Sequence, residues 1–265
     1  MTSLTRALHA EFLKSKRTLA LWLSLIAPAV IVGLQFAIMI DQHQYYGSPE
    51  DPTFSAWGRY TQNVLVLWAL LMLPLFVTLE TALIAQWEHR SQQWKHLFAL
   101  PVPRWTLYVA KQICGMVLIG LSTVVLAVLI IAVGLSFRLI YPGLGFEASP
   151  PLAELARFAL YMYLGSWFII AIQTWVAQRW SSFAVASAVG IALTVAGVIV
   201  IQSDYAGFYP YTLPTIVTNG FSGSAGGISV LEENAAPIRE LLFGSLGGLV
   251  AAAIGGWRFT RRDVL

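Results

Sequence analysis

Six long stretches of the chain are apolar throughout and hold no charged side chain. They cover residues 18–40, 61–79, 112–137, 158–178, 180–203 and 241–257. About 20 residues of helix cross the hydrocarbon of a bilayer, where only helices or closed barrels satisfy every backbone group. Barrel strands would be shorter and would alternate strictly, which the run 64–71 does not. The pattern therefore predicts an all-α membrane protein with six transmembrane helices.

With their flanking residues, these stretches predict one transmembrane domain over 1–265. A seventh charge-free stretch, 205–231, contains two prolines and five glycines, so it is predicted as part of an outer loop, 203–237, with short helical pieces. The first stretch is too long for the apolar part of a signal peptide and is kept as a helix. The six helices are predicted at about 18–40, 61–85, 109–136, 156–178, 181–202 and 238–257.

Composition agrees with this class. Charged residues are 11% of the 265 residues, against about 25% in ordinary soluble domains. With 57% hydrophobic residues and a mean hydropathy of +0.70, the chain has more apolar surface than one soluble core could bury. Soluble globular, disordered and nucleic-acid-binding classes are therefore excluded, and the net charge of +3 gives no reason to expect a nucleic-acid partner.

The distribution of basic residues predicts the orientation. With both termini in the cytoplasm, the inner side carries twelve Lys and Arg residues, and the outer side carries four. Six tryptophans also fall near the predicted inner interface, as an aromatic belt does. The inner basic residues are Arg6, Lys14, Lys16, Arg17, Arg90, Lys95, Arg104, Lys111, Arg179, Arg258, Arg261 and Arg262, and the tryptophans are Trp22, Trp87, Trp105, Trp175, Trp180 and Trp257.

Residues 3–17 form a weakly amphipathic segment whose apolar face is interrupted by Glu11. It is either an elbow helix lying at the interface and leading into the first span, or an ordinary basic leader that fixes the topology. Small residues recur at every fourth position of the sixth span, and a similar set occurs in the fifth. Either set could pack within the subunit or against another one. The sets are Gly244, Gly248, Ala252 and Gly256, and Ala186, Gly190 and Thr194.

Several kinds of active site lack their required residues. The sequence Gly220-Phe221-Ser222-Gly223 is the G-x-S-G pattern of intramembrane serine proteases, but none of the four histidines lies in a predicted membrane helix. There is no H-E-x-x-H motif, and Cys114 is the only cysteine, so no zinc site is predicted. No G-x-x-x-x-G-K-[ST] motif is present, so the chain is not expected to bind ATP by a P-loop.

Glu80 is the one charge inside a predicted membrane helix. A carboxylate there is costly unless it faces water or a partner. It either belongs to a conformational hinge or substrate path, or extends to the inner interface near Lys111 or Arg104.

The inner loop 86–104 is unusually aromatic. Trp87, Trp94 and Phe98 can share one side of a short helix that Pro101 and Pro103 end, so a helix is predicted at about 87–98. Such a surface is typical of a docking element, and the alternative is a helix lying along the lipid interface.

At these residues the chain resembles the permease subunits of type 2 ABC exporters (ABC-2), in the branch of lantibiotic-immunity and bacitracin-resistance permeases. The resemblance is carried by E-H-R-S-Q-Q-W-K-H-L-F-A-L-P-V-P-R at 88–104, by Tyr108, Ala110 and Lys111, and by the aromatic-proline segment 208–214. The short basic tail 258–263 is also similar, as are the amphipathic start and the six helices.

The resemblance implies a transport subunit without its own ATPase site. It would pair with a second permease copy or a related permease, and with two copies of a P-loop ATPase that binds ATP and Mg. In that family the loop between helices 2 and 3 is a coupling helix seated in the ATPase, which here assigns Glu88, Trp94, Lys95, Leu97 and Arg104 to coupling. Gln35 and Glu80 are then the polar candidates along the substrate path.

The implied function is ATP-driven export, across a bacterial cytoplasmic membrane, of an antimicrobial peptide or another amphipathic or lipid-like compound. The alternative hypothesis is a membrane scaffold or sensor that docks a non-ATPase partner in the cytoplasm. Whether the neighbouring coding region supplies a P-loop ATPase separates the two.

Overall fold

The computed structural model describes residues 3–16, 18–41, 56–90, 103–218 and 237–261, with the backbone alone at 87–90. These residues are mostly helical and contain no strand. A π-helical turn, Trp68–Met72, joins α3 to α4, and a 3-10 turn, Ala206–Phe208, precedes α8. The helices are α1 (Ser3–Ser15), α2 (Leu19–Asp41), α3 (Ala56–Leu67), α4 (Leu73–Arg90), α5 (Arg104–Ile140), α6 (Leu152–Arg179), α7 (Phe183–Val200), α8 (Leu213–Ile216) and α9 (Ile238–Thr260).

The prediction of an all-α protein with six membrane helices is confirmed. Six helical segments of the described chain are long and apolar enough to cross a membrane: α2, α3 with α4, α5, α6, α7 and α9. Large apolar side chains on their outer faces are exposed in the isolated chain, including Leu139 at 82% and Ile199 at 72%. Lipid is the solvent that such a surface requires. The sidedness of the termini stays a prediction.

The helices extend past the apolar stretches. The longest, α5, has 37 residues and begins at Arg104, where the sequence pattern places the start at about 109. At 1.5 Å per residue it is about 55 Å long, well beyond the roughly 30 Å of hydrocarbon. Similarly, α3 begins at Ala56 and α4 runs to Arg90, into the range predicted for the loop helix. Helical backbone does not need to end where lipid contact ends, so hydropathy alone underestimates these lengths.

α6 lies at the centre of the bundle, packed against α9, α4 and α5. Its contact with α9 is very close, because a Cβ added at Gly244 would lie 2.8 Å from the Cα of Gly165, and one at Gly248 would lie 2.7 Å from the backbone N of Phe168. The small residues of α9 are therefore used within the subunit. Those of α7 are as well, since a Cβ at Gly190 would overlap the side chain of Thr78 on α4.

The outer segment after α7 folds back into the bundle. Residues 211–218 are all buried, and the Nε2 of Gln173 in α6 donates a hydrogen bond of 2.5 Å to the hydroxyl of Tyr211. The hydroxyl of Tyr209 donates to the carbonyl of Leu193 at 2.8 Å. The prediction of a loop with short helical pieces therefore holds for residues 203–218, and the aromatic-proline segment lies against α6 and α7.

Candidate functional site

Glu11 of α1 forms a buried ion pair with α5. Its side chain is 4% exposed, and the Nζ of Lys111, which is 2% exposed, donates to its Oε2 at 3.1 Å. Lys14, one turn along α1, donates to the other carboxylate oxygen at 2.8 Å. The charge that interrupts the apolar face of α1 is thus the group that ties this helix to the bundle.

The residues around this ion pair form the contact of α1 with the membrane helices. Phe12 packs against a small cluster that contains Ala20, Cys114 and Leu118, and Ile84 of α4 joins the same cluster. Cys114 is fully buried and is not in a disulfide. Through these side chains α1, α4 and α5 share one packed region, which we call the inner junction.

Glu80 lies on α4, one helical turn from Ile84 of the inner junction. It is 0% exposed, and neither of its carboxylate oxygens has a hydrogen-bond partner among the described residues. It therefore lies neither at the surface of the chain nor on an open path in this conformation. The two basic residues that were predicted near Glu80 contact other groups. Lys111 is paired with Glu11, and the Nη1 of Arg104 donates to the carbonyl of Thr260 at 3.5 Å.

The span that carries Glu80 is irregular in its middle. The π-helical turn Trp68–Met72 is followed within two residues by Pro74, which lacks a backbone N–H. The hydroxyl of Thr78 donates to the carbonyl of Pro74 at 2.8 Å, and that of Thr81 donates to the carbonyl of Val77 at 2.8 Å. π-Bulges and prolines are common causes of bends in helices. This span is therefore two helical segments joined at a π-helical turn.

The model of one protein family, described as ABC-2 family transporter protein, matches residues 7–199, from α1 to the end of α7. The match covers most of the chain. This chain belongs to the ABC-2 transporter family. Members of this family are multi-pass membrane transport subunits that normally work with an ABC ATPase partner. No curated protein and no solved structure matched the chain.

The two polar residues predicted for the substrate path of this ABC-2 protein lie at different depths. Gln35 is half-buried on α2, about 24 Å along the helix from Leu19. Glu80 is about 15 Å from the end of α4 at Arg90. Gln35 is thus nearer the predicted outer side and Glu80 nearer the inner side. The structure does not bring them together, and their role in transport stays a prediction.

Most of the residues assigned to coupling fall outside the described part of this ABC-2 protein. Trp94, Lys95 and Leu97 lie there, and so does the side chain of Glu88, although its backbone belongs to α4. Arg104 is described, at the first position of α5, where its guanidinium contacts the end of α9. The Gly220-Phe221-Ser222-Gly223 sequence also lies outside the described residues. No group of three metal-ligating side chains occurs among the described residues.

The contact that sequence reasoning missed in this ABC-2 protein is the pairing of Glu11 with Lys111. Both count toward the predicted cytoplasmic charge, and nothing in the sequence spacing pairs residues 100 positions apart. The available signal was the position of Glu11 on an otherwise apolar helical face. A charge on such a face requires a partner when the face is buried.

Proposed function

We propose that this chain is the permease subunit of an ATP-driven exporter of the lantibiotic-immunity and bacitracin-resistance kind. Its cargo would be an antimicrobial peptide or another amphipathic or lipid-like compound, moved out of a bacterial cytoplasmic membrane. The ABC-2 family membership carries the proposal, together with the sequence motif at 88–104. The apolar interior of the spans supports an amphipathic cargo, because a strongly charged cargo would need paired charges along its path.

Two copies of a P-loop ATPase would each seat one loop helix of about 87–98, with Glu88, Trp94, Lys95, Leu97 and Arg104 as the contacts. ATP and Mg would bind to the ATPase alone. A second permease copy, or a related permease, would complete the path. ATP-driven closure of the ATPase dimer would then push on two loop helices at once.

The continuity of α4 supports a route for this push into the membrane. Its backbone is helical from Leu73 to Arg90, so motion of the loop would be transmitted along the segment that carries Glu80. The π-helical turn at Trp68–Met72 is the point at which this segment can bend relative to α3. The inner junction, which holds α1 and α5 against α4, would move with it.

The test is co-purification with the ATPase encoded beside this permease. Replacing Trp94 and Lys95 together by Ala is expected to abolish co-purification while membrane insertion persists, because a large aromatic anchor and a charge are both removed. The matched control replaces by Ala two exposed residues at the same predicted side, Lys16, which directly follows α1, and Trp22 on α2. If the Trp94/Lys95 variant still co-purifies with the ATPase, that result contradicts the coupling role proposed for the loop.

Cargo is tested separately, with the reconstituted complex. ATPase stimulation is measured across a panel of amphipathic antimicrobial peptides, lipid-linked cell-wall precursors and strongly charged, hydrophilic peptides. Stimulation by the first two classes is expected. If the chain instead binds a cytoplasmic protein without ATPase activity, and their complex hydrolyses no ATP, the chain is the scaffold or sensor of the alternative hypothesis.

A further inference from the structure

An apolar groove runs along the outside of the bundle between α6 and α9. Its volume is about 660 Å³, and its walls are almost entirely apolar. Along α9 it extends from Phe243 to Arg258, which is about 22 Å at the helical rise and therefore longer than one leaflet of the roughly 30 Å hydrocarbon. The side chains that shape its walls include Phe168, Ile172, Trp175, Val250 and Ile254.

The groove ends in a basic pocket of about 250 Å³. Arg179, the last residue of α6, and Arg258, in the last turn of α9, line this pocket together with Tyr108 and Phe259. Arg258 and Trp175 line both the pocket and the groove, so the two form one continuous feature.

The two arginines and the tyrosine hydroxyl of the pocket lack hydrogen-bond partners within the described chain. Neither Arg179 nor Arg258 forms a hydrogen bond or ion pair with another described residue. Tyr108 is 1% exposed, and its hydroxyl has no hydrogen-bond partner among the described residues. That hydroxyl lies against Gly255, where any Cβ would overlap it. Since Gly255 lines the groove, the hydroxyl is located at the junction of groove and pocket.

The position of the pocket matches the lipid headgroup region. By the distribution of basic residues, the ends of α6 and α9 lie on the cytoplasmic side, and Trp180 and Trp257 mark the interface beside them. The leaflet on that side is negatively charged, and basic pockets between membrane helices there bind anionic headgroups. An apolar groove that continues from such a pocket into the hydrocarbon fits an acyl chain.

We propose that this groove and pocket form a binding site for one anionic phospholipid of the cytoplasmic leaflet. Arg179 and Arg258 bind its phosphate, and one acyl chain lies between α6 and α9. A second copy of this chain is a poorer occupant, because it would cover two arginines without bringing a described carboxylate to pair with them. The lipid would fill the space beside the closely packed α6–α9 pair and hold their ends at a fixed separation.

The test uses the purified permease without any ATPase, titrated in detergent and observed by native mass spectrometry. Dioleoyl phosphatidylglycerol is the probe, with dioleoyl phosphatidylcholine and inorganic phosphate as separate arms. One phosphatidylglycerol per chain is expected, bound at least tenfold more tightly than phosphatidylcholine. The double variant Arg179→Gln/Arg258→Gln is expected to bind it roughly 25-fold more weakly, at about fivefold per arginine. The matched control Lys16→Gln/Arg261→Gln also removes two inner cations and is expected to bind normally.

A second variant tests the groove alone. Ala251, half-buried on α9, lines the groove, and Ala251→Phe is expected to weaken phosphatidylglycerol binding several-fold with both arginines intact.

Equal binding of the two lipids, normal binding by the double arginine variant, or full competition by inorganic phosphate would each overturn the proposal. Disulfide crosslinking of two copies through Leu246→Cys, which is 55% exposed beside the groove, would assign this face to a subunit interface instead. None of these results bears on the ATPase-coupled function.

Discussion

The contact of α9 with α6 and the contact of α1 with α5 hold their helices by different physical means. At the first, glycines let two backbones approach until an added methyl group would overlap the neighbouring chain. At the second, a buried carboxylate lies between Lys111 and Lys14. One contact depends on the absence of side chains and the other on matched charges.

Different kinds of substitution disrupt the two contacts. Close packing of small residues is a favoured means of association inside a membrane, where no hydrophobic effect drives helices together, and it fails when volume is added. A buried ion pair contributes little net stability, because desolvation offsets the attraction, yet it fails strongly when one partner is removed. The α6–α9 contact is therefore sensitive to added volume, and the inner junction to the loss of one charge.

The largest effect is expected from Glu11→Gln. The change leaves the ammonium of Lys111 buried without the carboxylate 3.1 Å away, which costs about 3 kcal/mol. The free energy of unfolding, measured by thermal denaturation in detergent, should fall by about that amount. The double variant Glu11→Gln/Lys111→Met should recover most of the loss, because it removes both charges. If the double variant instead loses as much free energy of unfolding as the two single variants together, the pair does not hold α1.

Cys114 supplies a local measurement for the same variant. It is the only cysteine of the chain and is fully buried in the cluster that includes Phe12 of α1. Release of α1 in Glu11→Gln should raise the rate at which a maleimide labels this thiol. An unchanged labelling rate, with a lowered melting temperature, would place the damage elsewhere in the bundle.

The next effect is expected from Gly248→Ala on α9. Its Cβ would lie 2.7 Å from backbone atoms of Trp167 and Phe168, which cannot turn aside as a side chain can. Overpacking of this kind costs about 1 to 3 kcal/mol. Cys114 labelling should stay slow, in contrast to Glu11→Gln. The control is Gly33→Ala, on α2, where a Cβ meets nothing within 4 Å, so stability should not fall and should rise by about 0.5 to 1 kcal/mol through helix propensity.

The smallest and opposite effect is expected from Glu80→Met. Replacing a fully buried carboxylate without a described partner by an apolar side chain of similar size should stabilise the protein by about 1 kcal/mol. If Glu80 serves transport, cargo-stimulated ATPase activity of the complex should fall although stability rises. Leu79→Met, one position away, should change neither. A strongly destabilised Glu80→Met would show that Glu80 is held by partners and is structural.

The elements that the sequence predicted correctly are those that depend on local pattern. The six spans follow from uninterrupted apolar stretches, because a lipid-facing helix must be apolar along its own length. A helix is present at residues 3–15, and the choice between an interfacial elbow helix and a basic leader stays a prediction. The lengths of α4 and α5 were underestimated, since their ends continue past the hydrocarbon, and the π-helical turn at Trp68–Met72 has no local signature beyond the nearby Pro74.

The sequence by itself determined the class of the protein and its predicted orientation, because hydropathy and the placement of basic residues are properties of single segments. Its resemblance to the family was carried by the motif at 88–104. Only the tertiary structure decided that Glu11 pairs with Lys111, that the glycines of α9 contact α6 within one subunit, and that Glu80 is enclosed. It also joined Tyr108, Arg179 and Arg258 in one pocket. These relations connect segments far apart in the chain, and periodicity can give the face of a helix but not the identity of its neighbour.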